Sequence, residues 1–433
     1  MANSYLQKNE SDPQGNRTTA TISVWIKRTL LGAEDCFFSH YYNGSNYFHV
    51  RFNTNNTMNI ESYAGASQQQ VMTTNRVFRD TSAWYHILLA LDSTQGTDAD
   101  RLKLYVNGTQ ETSFSAASYV SQNANYVIDG GAGYKTVIGN RGGSSSDLDF
   151  NGYMSHYSYV QGTALTPTSF GETDSTSGIW KFKSPSGITW GSKGYHLKFE
   201  NSAALGTDSS GNSNTFTVNG NLKQSLDTPS NVHATLNALD DYYQADTLSN
   251  GNLTMTGGGQ YAPRTATLGL TTGKWYWEIQ TNNFQASDGS AFGISSQMAT
   301  ASNYEYYNQS GANVGYGYFS NGSGYGNNGA IFTGYGTGSG THIIGVALNL
   351  TDNKIAWSYD GTWQGSTDPG SGNTNMISIT DPASLTSGTY FPAFSQKDNS
   401  RVLNVNFGSP SFSISSGNSD ANGFGNFEYA VPS

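Results

Sequence analysis

Between Trp84 and Phe114 the chain reads Trp-Tyr-His-Ile-Leu-Leu-Ala-Leu-Asp, a polar loop, and then Arg-Leu-Lys-Leu-Tyr-Val-Asn-Gly-Thr-Gln-Glu-Thr-Ser-Phe. Few folds accommodate such a stretch. Leu102, Leu104 and Val106 alternate with Arg101, Lys103 and Tyr105, and a period of two places one row in a core and the other toward water, as a half-buried strand does. Asn107-Gly108 then supplies the positive φ at two successive residues that a type I′ hairpin turn demands. The stretch predicts three strands and two turns. Later the same order returns as His342-Ile-Ile-Gly-Val-Ala-Leu-Asn-Leu, a polar turn at Thr351 to Asn353, Lys354-Ile-Ala-Trp-Ser-Tyr, Asp360-Gly361 and Thr362-Trp363. Two such meanders predict two antiparallel sandwiches, and 433 residues are enough for each to bury its own core.

The rest of the chain supplies the remaining strands. After a polar leader, Ala20, Ile22, Val24 and Ile26 alternate with Thr21, Ser23, Trp25 and Lys27 and open the first sheet. Residues 37–42, 47–52 and 57–63 follow as short strands between Asn, Gly and Ser turns, and 135–140 and 153–160 come after the meander. Residues 163–194 turn to Pro, Gly, Ser and Thr with isolated Trp180, Phe182 and Trp190, which reads as a wrapping connection. Strands at 195–199 and 215–218 return to the first sandwich, giving it residues 1–225. An interdomain passage follows at 226–256, with Gly257-Gly258-Gly259 as the most flexible point. The second sandwich takes 257–412, with strands at 274–279, 291–294, 390–394 and 402–407 and a Tyr/Gly/Asn/Ser tract at 304–340 that reads as hairpins with long loops. The tail, 413–433, is small and polar until Phe424, Phe427 and Tyr429, which suit docking on a neighbouring surface.

Composition narrows the partners. Aromatic residues make up 13% of the chain against 12% for all charged residues, with 51 glycines and 28 tyrosines, a β-rich and turn-rich mixture. A net charge of −10 without any run of Lys or Arg argues against a nucleic-acid partner. Cys36 is the single cysteine, so no intramolecular disulfide framework exists, and its setting before Phe37-Phe38 makes it a small core residue. The first residues hold no apolar signal region, and no window of about 18 apolar residues follows. The expectation is a chain folded in a cytoplasm without membrane insertion, able to act outside a cell as part of an assembled particle.

Chemistry-bearing motifs are sparse. There is no Gly-x-Ser-x-Gly elbow and no His-Glu-x-x-His helix. His86 and His342 open equivalent strands and read as sheet-edge hydrogen-bonding residues. Gly324-Tyr-Gly-Asn-Asn-Gly329 matches a phosphate-loop pattern, but no helix pattern follows to hold an anion, so the match is one of chance. Asp147, Asp149 and Asn151 alternate as in the first half of a calcium loop. The closing acid is missing, because Ser158 stands there, and a turn entering the next strand is the favoured reading. What remains is surface: Tyr41, Tyr42, Tyr304, Tyr306, Tyr307, Tyr316, Tyr318 and Tyr325 offer flat apolar faces with polar rims that suit sugar rings as well as protein partners. Those of the 304–335 tract sit among Gly, Asn and Ser as in antibody loops.

Several of these residues together resemble known families. Trp25, Trp84-Tyr85-His86, Leu104-Tyr105-Val106-Asn107-Gly108, Ile138-Gly139 and Phe150-Asn151-Gly152-Tyr153 resemble the laminin-G-like, concanavalin-A-like sandwich over residues 1–220. Tyr195 to Phe199 followed by Asp208 to Asn212 resembles the opening of such a domain, yet stands near its end, which implies a permuted strand order. Residues 240–412 resemble a SPRY (B30.2-like) domain through Gly273 to Glu278, Phe292-Gly293-Ile294, Ile344 to Asn349, Trp357 to Gly361 and Tyr390 to Ala393. The implied fold class is all-β, a concanavalin-A/laminin-G-like jelly-roll sandwich followed by a SPRY-like β-sandwich. Laminin-G-like relatives often hold calcium at a sandwich rim, which adds Asp208 and Asn212 to the calcium candidates; no other cofactor is implied.

The pairing of these halves, with Tyr5-Leu6, Gly15-Asn16-Arg17, Ala164-Leu165-Thr166-Pro167 and Phe170-Gly171-Glu172-Thr173-Asp174, is similar to structural proteins of tailed bacteriophages, marine ones in particular. The resemblance implies a non-enzymatic virion surface protein, a tail fibre or decoration component that contributes to recognition of a host-surface glycan or envelope component. It also implies contact with other virion proteins and a homo-oligomer, with a trimer favoured. Two readings compete: a purely structural virion component, and a polysaccharide-degrading enzyme, since concanavalin-A-like folds also house glucanases with paired carboxylates. Their Glu-x-Asp-x-x-Glu motif is absent, and Glu172-Thr173-Asp174 reads as a loop-capping pair.

Overall fold

Alternation decides the central strand of the first sandwich, Thr19–Arg28, whose Ala20, Ile22, Val24 and Ile26 are all 2% exposed or less. It pairs antiparallel with Tyr85–Asp92 on one side and Gly152–Gln161 on the other. The computed structural model describes residues 4–11, 15–144, 148–241, 246–259, 262–286, 289–298, 314–326, 329–370, 372–397 and 400–433. The chain divides into units 1–232 and 233–433. Among the described residues the helical elements are three-residue 3₁₀ turns, and no helix is long and apolar enough to cross a membrane.

In the first unit a six-stranded sheet runs Tyr195–Leu197, Gly152–Gln161, Thr19–Arg28, Tyr85–Asp92, Leu102–Val106, Thr109–Gln110. Facing it is an eight-stranded sheet in the order Phe114–Ser118, Ser67–Val77, Thr57–Ala64, Asn46–Phe52, Asp35–Asn43, Lys135–Ile138, Tyr5–Asn9, Thr217–Asn219. Ile22, Val24, Leu89 and Leu104 from the first sheet meet Phe38, Phe48, Val50 and Ile60 from the second in one core.

The sequence-predicted meander holds with one change. Asn107 and Gly108 have φ of 48° and 80°, as the I′ turn requires. The third strand stops at Gln110, and Phe114–Ser118 crosses to the opposite sheet to pair with Ser67–Val77. Two strands were not legible as such: Tyr5–Asn9 buries only Leu6 below 9% exposure, and Ser67–Val77 is glutamine-rich. Each is placed by backbone pairing on both edges rather than by an apolar face.

Lys27 and Arg28 are consecutive on one strand, so they point to opposite faces of the sheet, and both side chains are fully buried. Lys27 Nζ lies 2.8 Å from Asp227, whose other oxygen accepts the Trp84 indole N–H at 3.0 Å. Arg28 reaches Asp35 at 3.3 Å and also donates to Asn56 Oδ1 and the Phe78 carbonyl. Asp227 belongs to the stretch read from sequence as a passage between domains; here it is part of the first unit. The 163–194 segment lies on the outer face of the six-stranded sheet, where Phe170, Leu165, Ile188 and Trp190 join Leu88, Ala90 and Val160 in a small apolar cluster.

In the second unit Lys274–Phe284 and Gly338–Asn349 form the centre of an eight-stranded sheet. Ala291–Ser295, flanked by Phe391–Gln396 and Gly315–Phe319, centres a six-stranded sheet. Trp277, Trp357, Tyr318, Tyr390 and Phe394 pack between them. Leu236, Leu253 and Met255 are buried in this same core, so most of the predicted passage is a working part of the second unit, with strands at Thr247–Ser249 and Thr254–Thr256. Gly324–Gly326 pairs antiparallel with Gly329–Phe332, and among the described residues no α-helix follows.

The tail docks on its own unit. Glu278 is fully buried and accepts the backbone N–H groups of Glu428 (3.0 Å) and Tyr429 (2.8 Å), the Tyr276 hydroxyl and the Asn406 amide. Phe427 packs edge-on against Tyr276 at 5.2 Å, whereas Phe424 stays exposed.

Candidate functional site

The outer face of the eight-stranded sheet in the first unit carries aligned side chains in three rows fixed by strand register. One row reads Lys135, Tyr41, Tyr47, Tyr63, Gln68 across five strands. The next reads Val137, Ser39, His49, Glu61, Val71, and the third Cys36, Arg51, Asn59, Thr73. Because strands sit about 4.8 Å apart, neighbours in a row touch. The Tyr47 ring stacks on Tyr63 at 5.0 Å and on His49 at 4.7 Å.

Glu61 is the charge at the centre. His49 Nε2 lies 2.8 Å from its Oε1, the Tyr47 hydroxyl donates to the same oxygen at 3.3 Å, and Arg51 approaches to 3.9 Å while also pairing with Glu34. Burial pushes Glu61 upward, but these donors and charges outweigh it and hold its carboxyl below the usual range. Burial holds His49 below its ordinary value and neutral. Both ring nitrogens are buried, and neither has a protein hydrogen-bond partner, because the 2.8 Å approach of Nε2 to Glu61 lacks hydrogen-bond alignment. Ser39 Oγ, Asn59 Oδ1 and Arg51 Nε on the same face are likewise buried without one. Buried polar atoms are ordinarily hydrogen-bonded, so this set of acceptors and donors is complementary to a ligand or ordered water rich in hydroxyls.

The sequence-predicted surface residues are scattered. Tyr41 stands in the tyrosine row and Tyr42 beside it is 50% exposed, against Tyr134 at 5.1 Å. Tyr316 and Tyr318 are 5% and 0% exposed, so they are core residues of the second unit rather than contact surface. Room for the Tyr316 ring comes from its cross-strand partner Gly326, where a Cβ would stand 2.4 Å from the ring. Tyr325 is half-buried against Phe319 at 4.8 Å. Tyr304, Tyr306 and Tyr307 lie outside the described residues. Tyr47, Tyr63, His49 and Glu61 were not singled out from sequence, although their spacing of two within adjacent strands places them on one face.

The calcium candidates are engaged otherwise. Asp149 accepts the Asn140 amide at 2.7 Å, and Asn151 donates to the Asp149 carbonyl. Asp208 accepts four protein donors: the backbone N–H groups of His196, Ser210 and Asn214, and the Ser210 hydroxyl. Asp147 lies outside the described residues, among which no group of three or more His, Cys, Asp or Glu is arranged to hold a metal. Asp174 caps a turn through Thr176 and Ser177, as a capping residue should.

His86 resembles half of a catalytic dyad, with Nε2 2.9 Å from Ser23 Oγ. Chemistry decides otherwise. The Trp180 indole, a donor only, gives its proton to His86 Nδ1 at 3.1 Å, so Nε2 carries the hydrogen and Ser23 accepts it. The histidine therefore cannot take the serine proton, and it lies fully buried between Trp25 and Trp180. His342 instead pairs with Asp360 at 2.8 Å. Cys36 is buried, its thiol pushed up to about 12 by that burial.

Residues 2–169 match the family model of the concanavalin A-like lectin/glucanases superfamily, whose members include both enzymes and non-enzymes. Among solved structures the chain is similar to the SPRY domain of human HERC1, at 14% identity over 39% of this chain and 96% of that one, with a TM-score of 0.30. The TRIM65 PSpry domain is similar at 13% identity over 40% and 88%, with a TM-score of 0.30. A native heptameric SAP-like pentraxin from Limulus polyphemus is similar at 18% identity over 38% and 71%, with a TM-score of 0.28. No curated protein matches the sequence.

Proposed function

We propose that this chain is a non-enzymatic surface protein of a tailed-bacteriophage virion, a tail fibre or decoration component, whose first sandwich holds a host-surface glycan across Tyr41, Tyr47 and Tyr63. One observation carries the glycan reading: the tyrosine row stands beside His49 Nδ1 and Ser39 Oγ, with Asn59 Oδ1 one row further on, polar atoms that are buried and lack a protein partner. Rings give flat contact, and the polar atoms answer hydroxyls. The virion setting rests on the sequence resemblance alone.

Binding without hydrolysis fits the electrostatics. Cleavage of a glycosidic bond needs a protonated carboxyl opposite a second one. Glu61 is held ionised, and Glu34 beside it is engaged by Arg51. Tyr47→Ala and Tyr63→Ala are expected to weaken glycan binding about tenfold or more each, with an unchanged melting temperature, while Tyr325→Ala leaves binding as it was. The purified chain should release no reducing ends from host polysaccharide. Glycan arrays and titration calorimetry check the first, a reducing-sugar assay the second. Binding that survives in both variants, or turnover lost in Glu61→Gln, refutes the proposal.

Both ends of the eight-stranded sheet, Phe114–Ser118 and Thr217–Asn219, are edge strands, which favour association. Light scattering is expected to show a homo-oligomer, with a trimer favoured. A monomer that also stands alone in imaged virions contradicts this.

A further inference from the structure

We infer that His156 and His196 form a binding site for a late first-row transition cation, Zn²⁺ or its neighbours, beneath the 163–194 segment. His156 sits at the β-bulge of Gly152–Gln161, with a left-handed φ of 49°, and the bulge turns its ring onto the outer face of the six-stranded sheet. His196 lies on the edge strand Tyr195–Leu197, where it pairs directly with Ser158. The two ring centres are 5.7 Å apart.

Three polar atoms are buried here without a protein partner: His156 Nδ1, His196 Nε2 and Ser158 Oγ. His196 is 4% exposed and Ser158 0%, so solvent does not satisfy them, whereas half-buried His156 leaves a path for an ion. Each ring is held in place by an aromatic from the covering segment, His156 by Phe182 at 3.7 Å and His196 by Trp190 at 5.5 Å. An ion about 2.0–2.1 Å from an imidazole nitrogen lies about 3.2 Å from the ring centre, and two rings bent around one ion then stand about 5–6 Å apart. The observed spacing falls in that interval. Imidazole in its ordinary range is mostly neutral at pH 7 and able to ligate, and the nearby cation is Lys198. Lys198 itself is paired with Glu200 at 3.8 Å.

Two imidazoles, the Ser158 hydroxyl and water complete four positions around such an ion. Its structural effect would be to fasten a three-residue edge strand to its neighbour. This is independent of the glycan reading, because it concerns the opposite sheet.

The test is titration of the metal-stripped full chain with ZnCl₂, and separately with CoCl₂, at pH 7.5. One ion per chain should bind, raising the first-unit melting temperature by about 2–4 °C at saturation, and Co²⁺ should give visible ligand-field absorption. His196→Gln and His156→Gln should each lower affinity at least tenfold. Absence of binding, or binding unchanged in both variants, overturns the inference and leaves ordered water as the partner of these atoms. If His196→Gln misfolds, judged by near-ultraviolet circular dichroism without metal, His156→Gln and the Co²⁺ spectrum of the unmodified chain decide.

Discussion

Acidification from pH 7.5 to 5 should lower the melting transition of the first unit steeply and leave that of the second nearly in place. The chain has seven histidines, and five of them, His40, His49, His86, His156 and His196, lie in the first unit. Burial is the leading cause in each case: His40 and His86 fall to about 3, His156 and His196 to about 4, and His49 falls too. A histidine kept neutral in the fold but free to charge when unfolded binds more protons unfolded. Its stabilisation is therefore complete above the ordinary value of about 6.5 and lost as pH drops, by about 1.4 kcal/mol per pH unit.

One buried carboxyl acts in the opposite sense. Burial pushes Asp129 up to about 6, whereas Asp35 is held in its pair with Arg28. The neutral form of Asp129 favours the fold, so its contribution is present at low pH and lost as pH rises toward that value. The four histidines brought to about 3 or 4, set against this one carboxyl, leave a net of about three groups, or roughly 4 kcal/mol per pH unit between 6 and 4. The second unit has only His233 and His342, and its Glu278 is raised by burial, which favours acid. Calorimetry at pH 7.5, 6 and 5 should separate the two transitions, and His86→Gln should flatten the slope of the first. A first transition that does not move over this range would discard the account.

Asp35→Ala should destabilise the first unit by about 3–5 kcal/mol, since removing one partner of a buried pair leaves the other charge uncompensated. The Arg28 side chain has no exposure, so water cannot replace the carboxylate. The Asn56 and Phe78 oxygens remain as acceptors, yet neither carries a charge. Replacing both partners, Arg28→Met with Asp35→Leu, should recover much of the loss, because well-packed apolar groups often match or exceed a buried ion pair. Urea titration of the first transition measures both. A loss below about 1 kcal/mol for Asp35→Ala would show that Arg28 finds another route to solvent or charge.

Strand alternation and turn chemistry made most of the fold legible. The 19–28 strand, both meanders and the Asn107-Gly108 turn could be read because their signals are local. What escaped was placed by distant partners. Tyr5–Asn9 is held between strands 135–138 and 217–219, and Asp227 is fixed by a lysine 200 positions earlier. The site followed the same division. Tyr41 was accessible to reading because tyrosines adjoin there, but its neighbours in the row, Tyr47 and Tyr63, are assembled by register across three strands. Tyr316 and Tyr318 were misread in the opposite direction: their glycine-rich surroundings suggested a loop, whereas both rings are buried in a sheet, where the cross-strand Gly326 makes room for Tyr316.

The Lys27–Asp227 pair has a consequence for anyone who divides the chain. A boundary drawn at 225 from composition alone passes two residues before the carboxylate that faces a fully buried ammonium and a tryptophan N–H. A fragment cut there would keep every strand of the first sandwich and still tend to aggregate or resist purification. One that runs to 232 would behave as an autonomous body. The distance between failure and success in such dissection is seven residues without regular secondary structure, which serve as a latch closed from outside the sheet they secure.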